Sequence, residues 1–309
     1  MKLRRPAGAP VPTGVPRAGL AALLLWLPAI SMAHPTRVVS LNLCADILLL
    51  EQAPPAAALL LTRLARNPDL SPHATKAAGH GQHRGLAEEM LAFKPDWVVL
   101  EAGQWHPALP LLTRTGARTL ALEPASHGAS HARNLQRLTR VWDGDGSDAA
   151  DSADSADSAD SGDGADSAGS ADSPYNVDAA LSRGTADSAL FLSGGRWVPG
   201  PETLADDMLA AGGFRDLRGV YGLEAGGEIG LEALVRRPPD FLVISVSSSG
   251  SFSLDQEVLS HRALRRTFGP RHIIPLPESS WVCASSGTAG AMEALRVAHQ
   301  VTRATEHTP

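Results

Sequence analysis

Charge of one sign, long apolar runs and aromatic residues are all in short supply in this chain of 309 residues. The formal net charge is −6, and it is unevenly placed. Residues 1–33 carry Lys2, Arg4, Arg5 and Arg17 with no acid, whereas residues 143–172 carry ten Asp with no Lys or Arg. Taking both segments away leaves about zero, so the part that folds is electrically balanced and has no charge basis for binding nucleic acid. No apolar run approaches the roughly 20 residues that a membrane-spanning helix requires. Gly-x-Ser-x-Gly, Gly-x-Gly-x-x-Gly and phosphate-loop patterns are missing too, which removes the usual signatures of a hydrolase and of a nucleotide enzyme, although Ser285-Ser286-Gly287 and Ser247–Ser249 offer hydroxyls. Aromatics make up 5% of the chain. What is present is 43% hydrophobic residues, enough to bury the core of one large or two modest domains.

The four basic residues precede an apolar run from Leu20 to Ile30, and Ser31-Met32-Ala33 supplies small residues at the positions a signal peptidase reads. This pattern predicts a secretory signal at 1–33 and a soluble mature chain starting near His34. Leu41-Asn42-Leu43-Cys44 departs from a lipoprotein site because Leu43 is bulky where a small residue is needed. Export leaves two readings of Cys44 and Cys283, the only cysteines. They form a disulfide closing a long loop, worth ~4–5 kcal/mol in the chain-entropy model, or they are two small buried residues that never meet.

Beyond the signal, short apolar runs alternate with helical patterns, which defines an α/β chain. Strands are predicted at 37–41, 58–61, 97–100, 119–122, 189–193, 241–245 and 273–276. Helices are predicted at 45–52, 87–93, 107–115, 203–211, 231–236, 260–268 and 288–302. One pattern occurs twice: Glu88 through Lys94-Pro95-Asp96 into Trp97-Val98-Val99-Leu100 returns as Glu232 through Pro238-Pro239-Asp240 into Phe241-Leu242-Val243-Ile244. Each copy reads as a short helix stopped by Pro and followed by a buried strand. Two copies in register imply two lobes of related design, at a spacing too long for a solenoid.

Several residues in this order resemble the periplasmic substrate-binding proteins of the iron-siderophore and cobalamin ABC importers. They are Arg37-Val38-Val39-Ser40-Leu41-Asn42-Leu43-Cys44-Ala45-Asp46, Gly85-Leu86-Ala87-Glu88-Glu89 with Lys94-Pro95-Asp96, the second copy at 232–240, Leu192-Ser193-Gly194-Gly195 with Pro199-Gly200, and Trp281-Val282-Cys283. The likeness spans roughly 34–142 and 188–303. It implies two Rossmann-like α/β lobes joined by a long connecting helix, with the ligand in the cleft between them and no chemistry performed. The implied organisation is a signal peptide at 1–33, an N-terminal lobe at 34–128, a connector at 129–187 and a C-terminal lobe at 188–309. The implied function is capture of an iron-siderophore or corrinoid chelate by a periplasmic monomer, which delivers it to permease subunits in the inner membrane. The resemblance also implies one permease-docking glutamate per lobe, at Glu88 and Glu232. Both are acids at a helix start, where the dipole favours them, and a plain N-terminal charge is the simpler alternative.

In open α/β lobes ligands sit beyond the carboxyl ends of the strands. That rule selects Asn42 and Cys44, then Gln104 and Trp105, then Arg196 and Trp197, and finally Trp281. Flat, partly polar Trp rings suit a macrocycle or an aromatic chelate, and loop packing is their plainer explanation. Arg66 and Arg196 could meet an anionic ligand. Trp97 reads as a strand core residue. No resident cofactor is expected, the chelate or corrinoid being the cargo.

His73, His80 and His83 lie close together, and His80-Gly-Gln-His83 has a spacing that some metal sites use. No Cys or nearby carboxylate completes a set, and Gly79 and Gly81 point to a solvated loop. A binder of haem or of a bare divalent ion is therefore the second reading, and a secreted interaction protein using the acidic tract the third. The Asp/Ser/Ala repeat at 143–172 has no apolar residue larger than Ala, so disorder is its default and it is expected to be dispensable for binding. It interrupts the connector, with 131–142 and 175–182 as candidate helical flanks.

Overall fold

Leu- and Val-rich runs bounded by Pro, Gly and Asp form two parallel sheets, each covered by helices on both faces. The computed structural model describes residues 35–143, 187–247, 261–269 and 271–306. The signal segment, the acidic repeat beyond Asp143, the 175–182 flank and Ser248 and Ser249 lie outside the described residues. The described residues all belong to one compact unit.

The first sheet holds β1 (Arg37–Ser40), β2 (Ala58–Thr62), β3 (Gly81–His83), β4 (Trp97–Glu101) and β5 (Arg118–Leu122), in the order β3-β2-β1-β4-β5 with every pair parallel. Its helices are α1 (Leu43–Gln52), α2 (Ala74–Ala77), α3 (Ala87–Phe93), α4 (Leu109–Arg114) and α5 (Gly128–Asp143). The pleat divides the strand side chains between two cores. Val38, Leu59, Leu61, Trp97 and Val99 face α1 and α5, while Val39, Leu60 and Val98 face α3 and α4. Leu138 and Val141 of α5 belong to this lobe's core, so the described part of the connector packs as the lobe's last helix.

The second lobe holds β6 (Ser188–Leu192), β7 (Trp197–Val198), β8 (Arg215–Asp216), β9 (Gly227–Glu228), β10 (Phe241–Val246) and β11 (Ile273–Pro277). Its parallel sheet runs β11-β10-β6-β8, and β7 and β9 form a separate antiparallel ribbon. The helices are α6 (Leu204–Ala211), α7 (Leu231–Arg236), α8 (Arg262–Thr267) and the long α9 (Ser286–Glu306). Ala189, Phe191, Phe241 and Val243 pack on α6 and α9, whereas Leu190, Leu192, Leu242 and Ile244 pack on α7 and α8.

The repeated helix-Pro-Asp-strand unit has a physical role in both lobes. Asp96 accepts the backbone N–H of Arg37 at 2.8 Å, tying the start of β4 to the start of β1. Asp240 accepts the N–H of Ser188 at 2.7 Å and does the same for β10 and β6. In each lobe the repeated Asp thus satisfies a strand-end donor that the ladder leaves open.

The histidine segment differs from the solvated loop expected of it. Residues 81–83 form the edge strand β3, paired to β2, and His83 is buried. Its Nε2 lies 2.7 Å from the Ser40 carbonyl, and its Nδ1 accepts from the Gly85 N–H. These polar contacts, which a Gly-Gln-His sequence does not advertise, replace the apolar signal of an ordinary strand. Among the described residues no group of three His, Cys, Asp or Glu side chains could hold a metal ion. No described helix is long and apolar enough to cross a membrane.

Candidate functional site

The carboxyl ends of β1 and β4 meet at a side-chain pair. Asn42 caps α1, its Oδ1 accepting the Ala45 N–H at 2.8 Å, which satisfies one orphan donor of that helix. Its Nδ2 then donates to Gln104 Oε1 at 2.6 Å. Gln104 follows Gly103, whose φ of +79° makes the turn that glycine tolerates without strain. The next residue, Trp105, is 78% exposed.

The second lobe presents a corresponding feature after β6. Gly194 and Gly195 both have positive φ and turn the chain so sharply that Ser193 and Trp197 exchange backbone hydrogen bonds of 2.7 and 2.9 Å. Trp197 is held on this hairpin with 54% of its surface exposed. Arg196 is ion-paired to Glu228 across the β7–β9 ribbon.

The remaining sequence-selected residues are more committed. Trp281 is half-buried, packs edge-on against Phe191 at 5.0 Å and donates its indole N–H to Ser245 at 2.8 Å. Arg66 points to the C-terminal end of α2, donating to the carbonyls of His80 at 2.6 Å and Ala77 at 3.3 Å. Such a cap accounts for its charge without an anionic ligand. Cys44 is joined to Cys283 by a disulfide, with Cα atoms 5.4 Å apart. That bond brings the segments that follow β1 and β11 together.

Glu88 and Glu232 occupy equivalent places in the first turns of α3 and α7. Both are exposed, and among the described residues no ion pair engages either one. The neighbouring Glu89 is different, since Arg84 binds it through both the backbone N–H and the guanidinium at 2.7 Å.

Two acids, the buried Asp46 and the partly buried Glu51, were not singled out by sequence. Asp46 lies within α1, fully buried, and accepts from the backbone N–H and hydroxyl of Thr62. Burial pushes its carboxyl up to about 6 despite those donors. An acid inside a helix that is apolar all round was the available signal. Glu51, at the other end of α1, accepts from His73 Nε2 at 3.0 Å, His131 Nε2 at 2.6 Å, and the N–H and hydroxyl of Ser286 at 2.8 and 2.7 Å. Burial alone would raise this carboxyl, but the donors hold it well below the usual carboxylate range.

No family model and no curated protein sequence matches the chain. Solved structures do. The periplasmic haem-binding protein HutB of Vibrio cholerae superposes with a TM-score of 0.55 at 14% identity, covering 85% of this chain and 98% of its own. The periplasmic vitamin B12-binding protein BtuF of the same organism gives 0.52 at 11%, covering 87% and 98%. CeuE of Helicobacter pylori, solved with Ni(II) bound, gives 0.57 at 14%, covering 87% and 85%. The fold of this chain is therefore the two-lobed α/β fold shared by these periplasmic haem-binding and vitamin B12-binding proteins and by a possible iron-binding periplasmic solute-binding protein of Staphylococcus epidermidis. Those neighbours are binding proteins and not enzymes.

Proposed function

We propose that this chain is the periplasmic solute-binding component of an ABC importer, and that it captures a metal chelate or corrinoid between its lobes. The observation that carries the reading is the pair of exposed indoles, Trp105 on the loop after β4 and Trp197 on the hairpin after β6, one in each lobe. A flat ring with a large apolar face suits a macrocycle or an aromatic chelate, and the polar pair of Asn42 and Gln104 beside Trp105 supplies orientation.

Among the described residues no cluster of ligating side chains could hold a bare ion, which favours a cargo that brings its own coordination shell. Both nitrogens of His83 are engaged by backbone groups, and the Tyr221 phenol donates to the Arg237 carbonyl. His106 accepts from the Ala108 N–H through Nδ1, and its Nε2, beside Trp105, is the group that would meet a haem iron in the second reading.

Glu88 and Glu232 are the residues proposed to dock the permease. They are symmetric, exposed and unpaired, and so ready to meet cationic side chains of a partner. Processing near Ala33 would release the chain into the periplasm.

Calorimetric titration with a corrinoid, a ferric hydroxamate, a ferric catecholate and haemin tests the assignment. One of the first three is expected to bind in the micromolar range or tighter. Binding of haemin alone would select the second reading, and no binding at all would overturn the proposal.

A further inference from the structure

The longest-range contacts in the molecule converge on one short segment of the second lobe, residues 283–287, which joins the β11 loop to α9. Cys283 is bonded to Cys44 near the start of α1. Ser286, the first residue of α9, gives both its backbone N–H and its hydroxyl to Glu51 near the end of α1. Gly287 lies so close to the turn before α2 that a Cβ there would come within 3.3 Å of Pro72 Cβ. The segment also organises itself, with Thr288 Oγ1 donating to the Cys283 carbonyl at 3.1 Å and accepting from the Ser285 N–H. Leu43, Ile47 and Cys283 are buried together, with Cys44, Leu70, Ala125 and Val282 around them.

Glu51 is the polar centre of this seam. It collects donors from three elements besides its own: His73 before α2, His131 on α5 and Ser286 on α9. The N-terminal end of a 21-residue helix faces its charge, and this is the favourable orientation of the helix dipole. Removing it would leave the Ser286 N–H and two imidazoles facing a hole with no acceptor.

We infer that Glu51 is a positioning residue for the ligand region, and that Glu51 and the disulfide between Cys44 and Cys283 form two redundant latches which set the spacing of the lobes at this seam. The latches act on the loop that carries Trp281 and on the helix start that carries Asn42 and Cys44, so the ligand loops are held in place before any ligand arrives. The inference concerns lobe geometry alone, and it stands or falls whether or not a chelate is the cargo.

The test is the distance between spin labels at Arg114→Cys on α4 and Arg236→Cys on α7, both exposed positions, measured by pulsed electron resonance on the unliganded full chain. Glu51→Ala with the disulfide intact, and Cys44→Ser with Cys283→Ser in the presence of Glu51, are each expected to keep the narrow distribution of the parent. The triple variant is expected to widen it by about twofold, more than the two single effects combined, as coupled neighbours do. Glu51→Gln in the cysteine-free background keeps one oxygen for Ser286 and is expected to restore part of the narrowness, a rescue that loss of bulk stability would not produce. Circular dichroism on each variant separates a shift of folded lobes from unfolding. A triple variant that is folded and as narrow as the parent would overturn the inference, as would a single variant as broad as the triple.

Discussion

The two lobes repeat one construction with different side chains, most visibly at the first residue of the repeated strand. Trp97 starts β4, and Phe241, 144 positions later, starts β10. In the first lobe the neighbouring strand puts Arg118 in register with Trp97, and its guanidinium lies 4.1 Å from the ring centroid. In the second lobe His272 takes that place beside Phe241, stacked at 4.9 Å. Both rings are buried and both are capped by a planar nitrogen-bearing group, but the indole N–H of Trp97 has no partner whereas Phe241 has none to satisfy. The shared part is thus geometric, an aromatic at a strand start covered by a flat group. The chemistry of the cover is free to differ.

Truncating the paired rings should have the largest effect. Trp97→Ala and Phe241→Ala are each expected to cost ~3–5 kcal/mol in denaturant unfolding. A difference between them above about 2 kcal/mol would break the equivalence of the lobes. Removing the disulfide with Cys44→Ser and Cys283→Ser comes next, at ~2–5 kcal/mol under non-reducing conditions.

The repeated aspartates come next. Asp96→Asn and Asp240→Asn each weaken a charge-assisted bond to a strand N–H, and Asp240→Asn also weakens the bond from the Ser188 hydroxyl, for a loss of ~1–3 kcal/mol at neutral pH. Burial would raise Asp240, but Ser188 donors outweigh it and the carboxyl sits below its ordinary 3.8. Its contribution is therefore present above 3.8 and lost as the pH falls through the depressed value. Asp46 in the first lobe has the opposite sign. Its carboxyl is raised from 3.8 to about 6, so the stability it contributes is complete below 3.8 and is lost as the pH rises through about 6. Denaturation midpoints from pH 4 to 7 should decline less steeply with pH in Asp46→Asn than in the parent, and unchanged slopes would contradict the burial argument.

Arg118→Ala removes a ring cover and should have the smallest effect, ~0.5–1 kcal/mol. His272→Ala removes a ring cover together with the 2.8 Å contact to the Asp240 carbonyl and should cost about 1 kcal/mol more, so equal losses would contradict a part for that contact.

Much of this construction was legible in the sequence because apolar runs and Pro stops are local signals. The strands beginning at Arg37, Ala58, Trp97 and Phe241 and the helices at 87–93 and 231–236 stand where the pattern puts them. The edge strand at 81–83 was missed because Gly-Gln-His carries no apolar alternation, and it is held by backbone pairing and the two bonds of His83. Long-range chemistry was not legible. Glu51 meets partners 22, 80 and 235 positions away, and nothing in Leu-Leu-Leu-Glu-Gln announces them. The charge of Arg66 suggested an anionic ligand, but its direction toward the end of α2 depends on three carbonyls that only the folded chain brings together.

The central claim is that an indole from each lobe grips the cargo, and quenching of intrinsic fluorescence tests it most directly. Titration of the chain with the chelates and the corrinoid should quench Trp emission saturably for one of them. Trp105→Ala and Trp197→Ala should each weaken that ligand's binding by about tenfold, roughly 1.4 kcal/mol, while Trp142→Phe leaves it unchanged. Saturable binding that neither Trp105→Ala nor Trp197→Ala alters would contradict the account.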